Sequence, residues 1–588
     1  LKAKKGSMEL LFYNDGEYNK WKAQTDTKGW KIKYYKGLGT STGKEFKEYF
    51  ENKKIVLFQH NDDDCSDAID KVFNKKRADD RKDWLGNYDR EMYLDTNNTS
   101  VSYTDFIDRE MIHFSKYDCD RSIPNLMDGL KISLRKILFS AFKKNLTQEI
   151  KVAQFSGYVS EHSGYHHGEA SLNGAIVGMA QNYVGSNNIN LLQPNGQFGT
   201  RLQGGKDSAS ERYIFTQLSP LTRYIYPQDD DAILRYLDDD GLSVEPVFYA
   251  PIIPMVLVNG SKGIGTGFST EIQSYYPPII IHYLKQKLLN YDVSGIKFTP
   301  YFEGFNGSIH EVSKNKYLVC GKYKVVGQDK ICVTELPVGY WTDDFKEHLE
   351  NLASNVDKNG KKVTPIIKEI DDMSKSTNVS IVITFTRDTL QHLEQKTIDN
   401  GCNNLEKTLK LFTTFSTTNM HMFDAYEKLK KYETIPEIID DYYVTRLELY
   451  QKRKDFMLDI LKKQLKICSN KMKYIQELLD ETLDLRKKSK TTIIELLESK
   501  DYDMIDDDTD YKYLLKMPMD SVSEENVEKL KSEFEDKQNK YNKLETTTAE
   551  DMWMCELDVL NSEYDKFIRA HRKNIENENS GKPSKKKK

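Results

Sequence analysis

Apolar and polar positions along the 588-residue chain change their period several times. Short apolar runs open it. MELLFYN predicts a strand, and TKGWKIKYYKGLGT predicts a strand followed by a glycine-rich turn. TGKEFKEYFEN starts a helix with Thr42 or Ser41 as N-cap, and NDDDCSDAIDKVFNKKRADDRKDWL reads as a charged helical connector. After a Pro-containing loop, Leu130, Leu134, Leu138 and Phe142 recur every fourth residue and predict an amphipathic helix. From residue 276 to about 425, runs such as GKYKVVGQDKICVTELP and VSIVITFTR predict a β-rich insert with some helices. No proline occurs between Pro436 and Pro518. In that stretch Leu461, Leu465, Cys468, Met472, Ile475 and Leu479 form a heptad seam, and later in the chain Trp553, Leu557, Leu560, Tyr564 and Phe567 form another. The simplest geometry pairs these two segments antiparallel, with a small helical head between them. The fold class is multidomain α/β.

Composition narrows the classes. The length suits about three to five domains. Hydrophobic residues make up 38% and charged residues 30%, enough for cores with much solvated surface. A net charge of −5 excludes a generic polycation, so nucleic-acid binding requires a local basic patch. Arg121–Lys151 supplies one: Arg121, Lys131, Arg135, Lys136, Lys143, Lys144 and Lys151 stand against Asp128 and Glu149. Seven scattered cysteines without a C-x-x-C pair exclude a zinc ribbon and predict reduced thiols in an intracellular protein. No apolar run of about 18 residues and no signal-peptide pattern occur, so a soluble protein with no membrane partner is expected. The chain opens on Leu1, which predicts a piece of something longer, and closes on GKPSKKKK, a flexible basic tail.

The candidate chemistry starts from glycine-rich segments. GTRLQGGKD (199–207) departs from a Walker A loop: an extra glycine precedes Lys206, and Asp207 replaces the hydroxyl residue. NGSKGIGTG (259–267) lacks the G-K-[ST] ending. Such glycines let backbone approach a bulky polyanion. His166 and His167 are adjacent and point in different directions, so they do not share a metal; one reading is structural, the other a phosphate contact. Asp62, Asp63 and Asp64 read as an exposed acidic loop, because contiguous carboxylates on regular structure cannot all face one ion. Tyr213 is one of 36 tyrosines, but it directly follows Arg212, and Lys206 and Arg201 lie close upstream. A phenol, with a pKa of about 10, needs a nearby cation, a base or a metal to act as a nucleophile, and these three residues supply positive charge. The alternative is an ordinary buried aromatic beside a salt bridge.

KYYKGLGTST (33–42), RSIPNLMDGLKISLRKILF (121–139), YHHGEASL (165–172), GTRLQGGKDSASERYIFT (199–216), PMVLVNGSKGIGTGFST (254–270) and DDYYVTRLELYQKRKDFM (440–457) occur in the order found in type IIA DNA topoisomerases of the eukaryotic kind. The chain resembles that family over nearly its whole length. The resemblance implies the C-terminal part of a Toprim domain and a linker (1–85), a winged-helix domain (86–275), a β-rich tower (276–425), a long antiparallel coiled-coil exit gate that dimerises (426–575) and the basic tail (576–588). It implies that Tyr213 is the catalytic nucleophile, with Arg212 stabilising charge on the phosphate and His167 near the scissile phosphate. It implies that Arg121, Lys131, Lys206 and Arg201 contact DNA and that Ile264 wedges between base pairs. The implied partners are double-stranded DNA and a second copy of the chain. Magnesium and ATP are implied for the full-length parent, with no metal ligands among this chain's motifs, so the chain alone is expected to bind DNA but cleave it poorly or not at all. The implied location is the nucleus for a cellular protein, or the host cytoplasm or a viral factory for a viral one. Two other classes compete. One is a winged-helix and coiled-coil DNA clamp without chemistry, which leaves Arg212 and Tyr213 without a purpose. The other is a relative of meiotic or archaeal type that cuts without resealing and lacks the tower and this gate.

Overall fold

The computed structural model describes residues 1–580 except 36–38, 40, 90, 240, 241, 357–361, 363, 507, 509, 519 and 520. Most of the KYYKGLGTST turn and the end of the basic tail therefore lie outside the described residues. The chain divides into two compact units: Leu1–Ser133 with Gly260–Gln273 and Ser416–Glu433, and Leu134–Asn259 with Ser274–Phe415 and Thr434–Lys588.

In the first unit, strands Met8–Leu11, Lys2–Lys5 and Lys31–Lys33 form an antiparallel sheet in that order. Helix Gly43–Glu51 starts where the sequence pattern sets it, because Thr42 and Glu45 complete a capping box. Asp62–Phe73 is a helix, which corrects the acidic-loop expectation for Asp62, Asp63 and Asp64. Carboxylates in a first helical turn are stabilised by the unpaired amides and the positive end of the helix dipole, so three in a row can begin a helix as readily as a loop. Helix Ile112–Ser122, hairpin Ser261–Gly265/Phe268–Ile272 and strand Met420–Phe423 complete the unit. Trp84, Leu85, Ile112, Cys119, Ile123, Phe268 and Phe423 share its core.

The second unit carries helices Ile132–Lys143, Val152–Ser163 and Glu169–Ala180. The first of these is less one-sided than its stripe predicts. Arg135 is buried, and Lys136 donates to Glu245 (2.7 Å) and to the Ser163 carbonyl (2.6 Å). The local basic excess is therefore partly neutralised inside the fold. The β-rich insert appears as an antiparallel sheet of Lys322–Gly327, Lys330–Glu335, Ile381–Phe385 and Ile367–Asp372, in that spatial order, with helix Thr342–Ala353. Ile331, Val333, Leu336, Phe345, Leu349, Ile381 and Ile383 form its apolar core.

The 45-residue helix Ile435–Leu479 runs antiparallel to helix Glu524–Thr546, and its first half also meets the start of helix Ala549–Asn579. Tyr450 donates to Glu556, Lys454 to the Glu545 carbonyl, and Lys537 to Cys468, so the residue numbers on the facing helices fall as the long helix advances. This corrects the pairing of the two seams. Cys468 faces Glu524–Thr546, while Trp553 packs far below it on Tyr443 and Tyr450, with ring centroids 5.2 and 5.3 Å apart. Val527, Leu530, Phe534, Lys537, Tyr541 and Leu544 are the half-buried stripe that meets the first seam. The lysine in that stripe hides it from an apolar count. The expected helical head is present: Leu483, Leu497, Tyr502, Tyr511 and Leu514 cluster on Tyr474 at the end of the long helix.

Candidate functional site

In the second unit, the loop 199–213 is folded tightly on itself. Gly199 has φ +92°, and a Cβ there would lie 2.5 Å from the Gly205 carbonyl oxygen. Gly205 has φ +82° and sits against Gln181 and Tyr183. Only glycine meets both demands, a left-handed backbone and no side chain. Asp207, the residue that spoils a Walker A reading, accepts from the Thr200 amide (2.9 Å) and hydroxyl (2.6 Å) and closes the loop. Beyond it the Ala209 amide donates to the Gln197 carbonyl (2.9 Å) and the Tyr213 amide to the Ser210 carbonyl (2.9 Å).

The carbonyls of Glu211 and Ile214 accept from the amides of Ala153 and Val152, at 3.1 and 3.0 Å. The turn bearing Arg212 and Tyr213 is therefore pinned on both sides to the start of helix Val152–Ser163. Ile214 is buried at 1%, whereas Tyr213 is 74% exposed and Arg212 is also exposed. The bland alternative of a buried aromatic beside a salt bridge fails on both counts: Arg212 makes no ion pair among the described residues. Lys206 is exposed as well. His167 is half-buried, its ring edge-on to Tyr165 at 5.4 Å, while His166 meets Asp239 (3.1 Å). Helix Glu169–Ala180, which begins two residues after His167, and the segment Gly205–Glu211 line one open groove of about 470 Å³.

Arg201 stands apart from the other predicted cations. It is 5% exposed and its guanidinium is held by Glu335, which is 1% exposed. It is not presented to a phosphate, which corrects the DNA-contact expectation. Residue type and a glycine-rich neighbourhood do not reveal whether an arginine already has an internal partner more than a hundred residues away.

In the first unit, Ile264 is 79% exposed at the end of strand Ser261–Gly265. Its neighbours explain why. A Cβ at Gly263 would lie 1.8 Å from the Ser122 carbonyl oxygen, and one at Gly265 would lie 3.2 Å from Cys119. The two glycines lay the strand directly on the end of helix Ile112–Ser122. Strand alternation then turns the intervening isoleucine outward. Asp118 accepts from the Thr266 amide (2.8 Å) and hydroxyl (2.9 Å), which fixes the hairpin turn. Lys131 donates to the Lys262 carbonyl (2.7 Å), and burial pulls its pKa down. Arg121 is exposed, 5.9 Å over the Tyr117 ring.

A family model for the A-type subunit of DNA gyrase/topoisomerase IV matches residues 121–558, and one for the C-terminal associated domain of TOPRIM matches residues 1–119. The chain belongs to the DNA gyrase/topoisomerase IV family. Within it the chain is similar to eukaryotic DNA topoisomerase 2 proteins. It is 40% identical to that of Plasmodium falciparum (95% of this chain, 41% of the relative) and 40% identical to that of Arabidopsis thaliana (96% and 40%). It is 39% identical to DNA topoisomerase 2-beta of Gallus gallus (99% and 38%). The chain thus spans about 40% of the length of these curated relatives. The solved DNA-binding, cleavage and re-ligation domain of Plasmodium falciparum topoisomerase II superposes with a TM-score of 0.83 at 40% identity, covering 98% of this chain and 80% of that one.

In this topoisomerase-family chain the described residues contain no cluster of three or more His, Cys, Asp or Glu side chains that could hold a metal ion. No described helix is long and apolar enough to cross a membrane. Sequence reasoning missed Glu335 and Trp341, which receive the loop 201–204. The three glycines at 199, 204 and 205 were the available signal, since such spacing marks backbone pressed against something bulky.

Proposed function

We propose that this chain is the DNA breakage-and-rejoining region of an ATP-dependent type IIA topoisomerase that acts as a homodimer in the nucleus. The observation that carries the reading is the Arg212–Tyr213 pair. Both side chains are exposed on a turn whose backbone is pinned at Glu211 and Ile214. In this reading the Tyr213 phenol oxygen attacks a DNA phosphorus. The bond from phosphorus to the 3′ oxygen breaks, a 5′-phosphotyrosyl link forms, and the phenolic proton is lost as the 3′ oxygen gains one. One phosphoester replaces another, so the reverse attack by the 3′-hydroxyl reseals the strand without a further energy source. Arg212 stabilises the charge that develops on the phosphate, as a fixed cation does in phosphoryl transfer. His167 supplies a further polar contact to the same phosphate.

Lys206 and Arg121 add sequence-independent phosphate contacts, so affinity falls with salt. Ile264 wedges between base pairs and bends the duplex that is cut. Residues 86–275 correspond in this reading to the winged-helix domain, 276–425 to the tower and 426–575 to a coiled-coil exit gate. Magnesium and ATP belong to the whole protein; the described residues do not assemble a donor set for the metal.

The test uses the chain extended upstream of Leu1 through the metal-binding segment that the resemblance implies. With magnesium and end-labelled duplex DNA, quenched in strong denaturant, protein should be attached to 5′ ends, and Tyr213→Phe should abolish the attachment. DNA binding without any covalent adduct would replace this reading with a non-catalytic clamp.

A further inference from the structure

The ion pair between Arg201 and Glu335 joins side chains 134 positions apart, and their side chains are 6% and 1% exposed. Glu335 also accepts from the Asn306 amide (3.1 Å) and from its own neighbour's amide, Leu336 (2.9 Å). The backbone continues the contact: the amides of Thr342 and Asp343 donate to the carbonyls of Arg201 (3.5 Å) and Leu202 (3.0 Å). Gln203 donates to the Asp343 carboxylate at 2.9 Å. The Trp341 indole lies flush on Gly204, where a Cβ would come within 2.3 Å of the ring. Trp341 also meets Tyr183 edge-on at 5.8 Å, and Tyr183 in turn backs Gly205.

Resting on the reading of Tyr213 as nucleophile, we infer that the segment Glu335–Asp343 is a positioning element for the nucleophile loop, acting through the Arg201–Glu335 ion pair and the Trp341 indole. Its rigidity and its reach both support this role. Leu336, inside the segment, and Phe345, two residues past its end, are both fully buried in the apolar core of the β-rich insert. The segment is therefore a fixed platform. Residues 201–204 rest on it, and the hydrogen bonds of Thr200, Asp207, Ala209 and Tyr213 carry that placement forward to the exposed phenol. A buried ion pair gives little net stability compared with an apolar pair of the same size. Its effect here is geometric: a bidentate guanidinium against a carboxylate with two further donors allows one placement of the loop. A nucleophile displaced by about 1 Å loses on the order of 100-fold in rate. None of these residues touches the phosphate in this arrangement; they act through Tyr213.

Two measurements test this on Glu335→Gln, Trp341→Ala, Trp341→Phe and a control, Leu349→Ala, which opens the same apolar core away from the loop. The first is hydrogen exchange at the amides of Gly205, Ala209 and Tyr213 in the 588-residue chain. Glu335→Gln and Trp341→Ala should each speed exchange by about tenfold or more, a local opening. Trp341→Phe should restore most of the protection. Leu349→Ala should lower the melting temperature without affecting these amides. The second is single-turnover adduct formation by the upstream-extended protein, per folded molecule. The same two variants should slow it by about 100-fold while changing DNA affinity by less than about threefold. Unchanged exchange in Glu335→Gln and Trp341→Ala, or equal loosening by Leu349→Ala, overturns the inference. If the unsubstituted protein forms no adduct, the nucleophile reading is what fails, and the exchange measurement still decides whether the platform holds the loop.

Discussion

Asp230 is 2% exposed and lies between two buried guanidiniums. Arg446, fully buried, donates to Asp230 at 2.6 Å, and Arg453 reaches it at 3.4 Å. Replacing Asp230 with Asn keeps the shape and removes the charge. Arg453 keeps Glu556 at 2.5 Å. Arg446 keeps only uncharged partners among the described residues, such as the Pro251 carbonyl at 3.1 Å, the Tyr442 hydroxyl and the face of Tyr450 at 3.9 Å, and a guanidinium cannot give up its proton. An uncompensated buried charge costs about 3–5 kcal/mol. By contrast the Glu556 carboxylate is 30% exposed, so Glu556→Gln should cost no more than about 1 kcal/mol. The double variant Asp230→Asn with Arg446→Met should be more stable than Asp230→Asn alone, because it removes the orphaned charge. The assay is urea unfolding followed by tryptophan fluorescence, since Trp553 stacks on Tyr450 within this cluster. A loss below about 1 kcal/mol for Asp230→Asn, or a double variant weaker than the single, would refute the reasoning.

Trp553→Ala removes a fully buried indole and its hydrogen bond to the Ile252 carbonyl (2.9 Å), and should cost about 3–5 kcal/mol in urea unfolding followed by far-ultraviolet circular dichroism, which does not depend on the deleted indole. His421 should make stability pH-dependent. Burial, reinforced by Lys82 and Lys431, holds its pKa below the usual value, so the unfolded chain takes up a proton first as pH falls below about 6.5. Stability should therefore fall from that pH down to the folded-state pKa, and His421→Gln should flatten this part of a plot of melting temperature against pH. On the proposed function, Ile264→Ala should reduce the DNA bend seen by fluorescence energy transfer across a labelled duplex while leaving the salt slope of binding unchanged. A bend identical to that of the unsubstituted protein would remove the wedge role.

Much of this molecule was legible in local pattern. The Thr42 N-cap, the strands of the β-rich insert and the proline-free helix follow from residue types and spacings within a few residues, and the Arg212–Tyr213 pair was marked by its neighbours, although its exposed placement depends on Val152 and Ala153 far away in the chain. The Asp62–Asp64 start of a helix was not, because the same carboxylates suit a helix N-terminus and a loop equally. The stripe facing Cys468 was hidden by Lys537, whose aliphatic stem packs while its amine reaches sulfur.

The sequence by itself determined the elements, the family motifs and the candidate nucleophile. Only the tertiary structure decided which cations are engaged inside the fold. Arg135, Arg201, Arg446 and Arg453 look like any surface arginine in the chain's pattern, yet all four are buried. The physical reason is that a desolvated charge is tolerated only beside a counter-charge or donor set brought from elsewhere in the chain. Arg201 and Glu335, or Arg446 and Asp230, become neighbours only when the chain has folded.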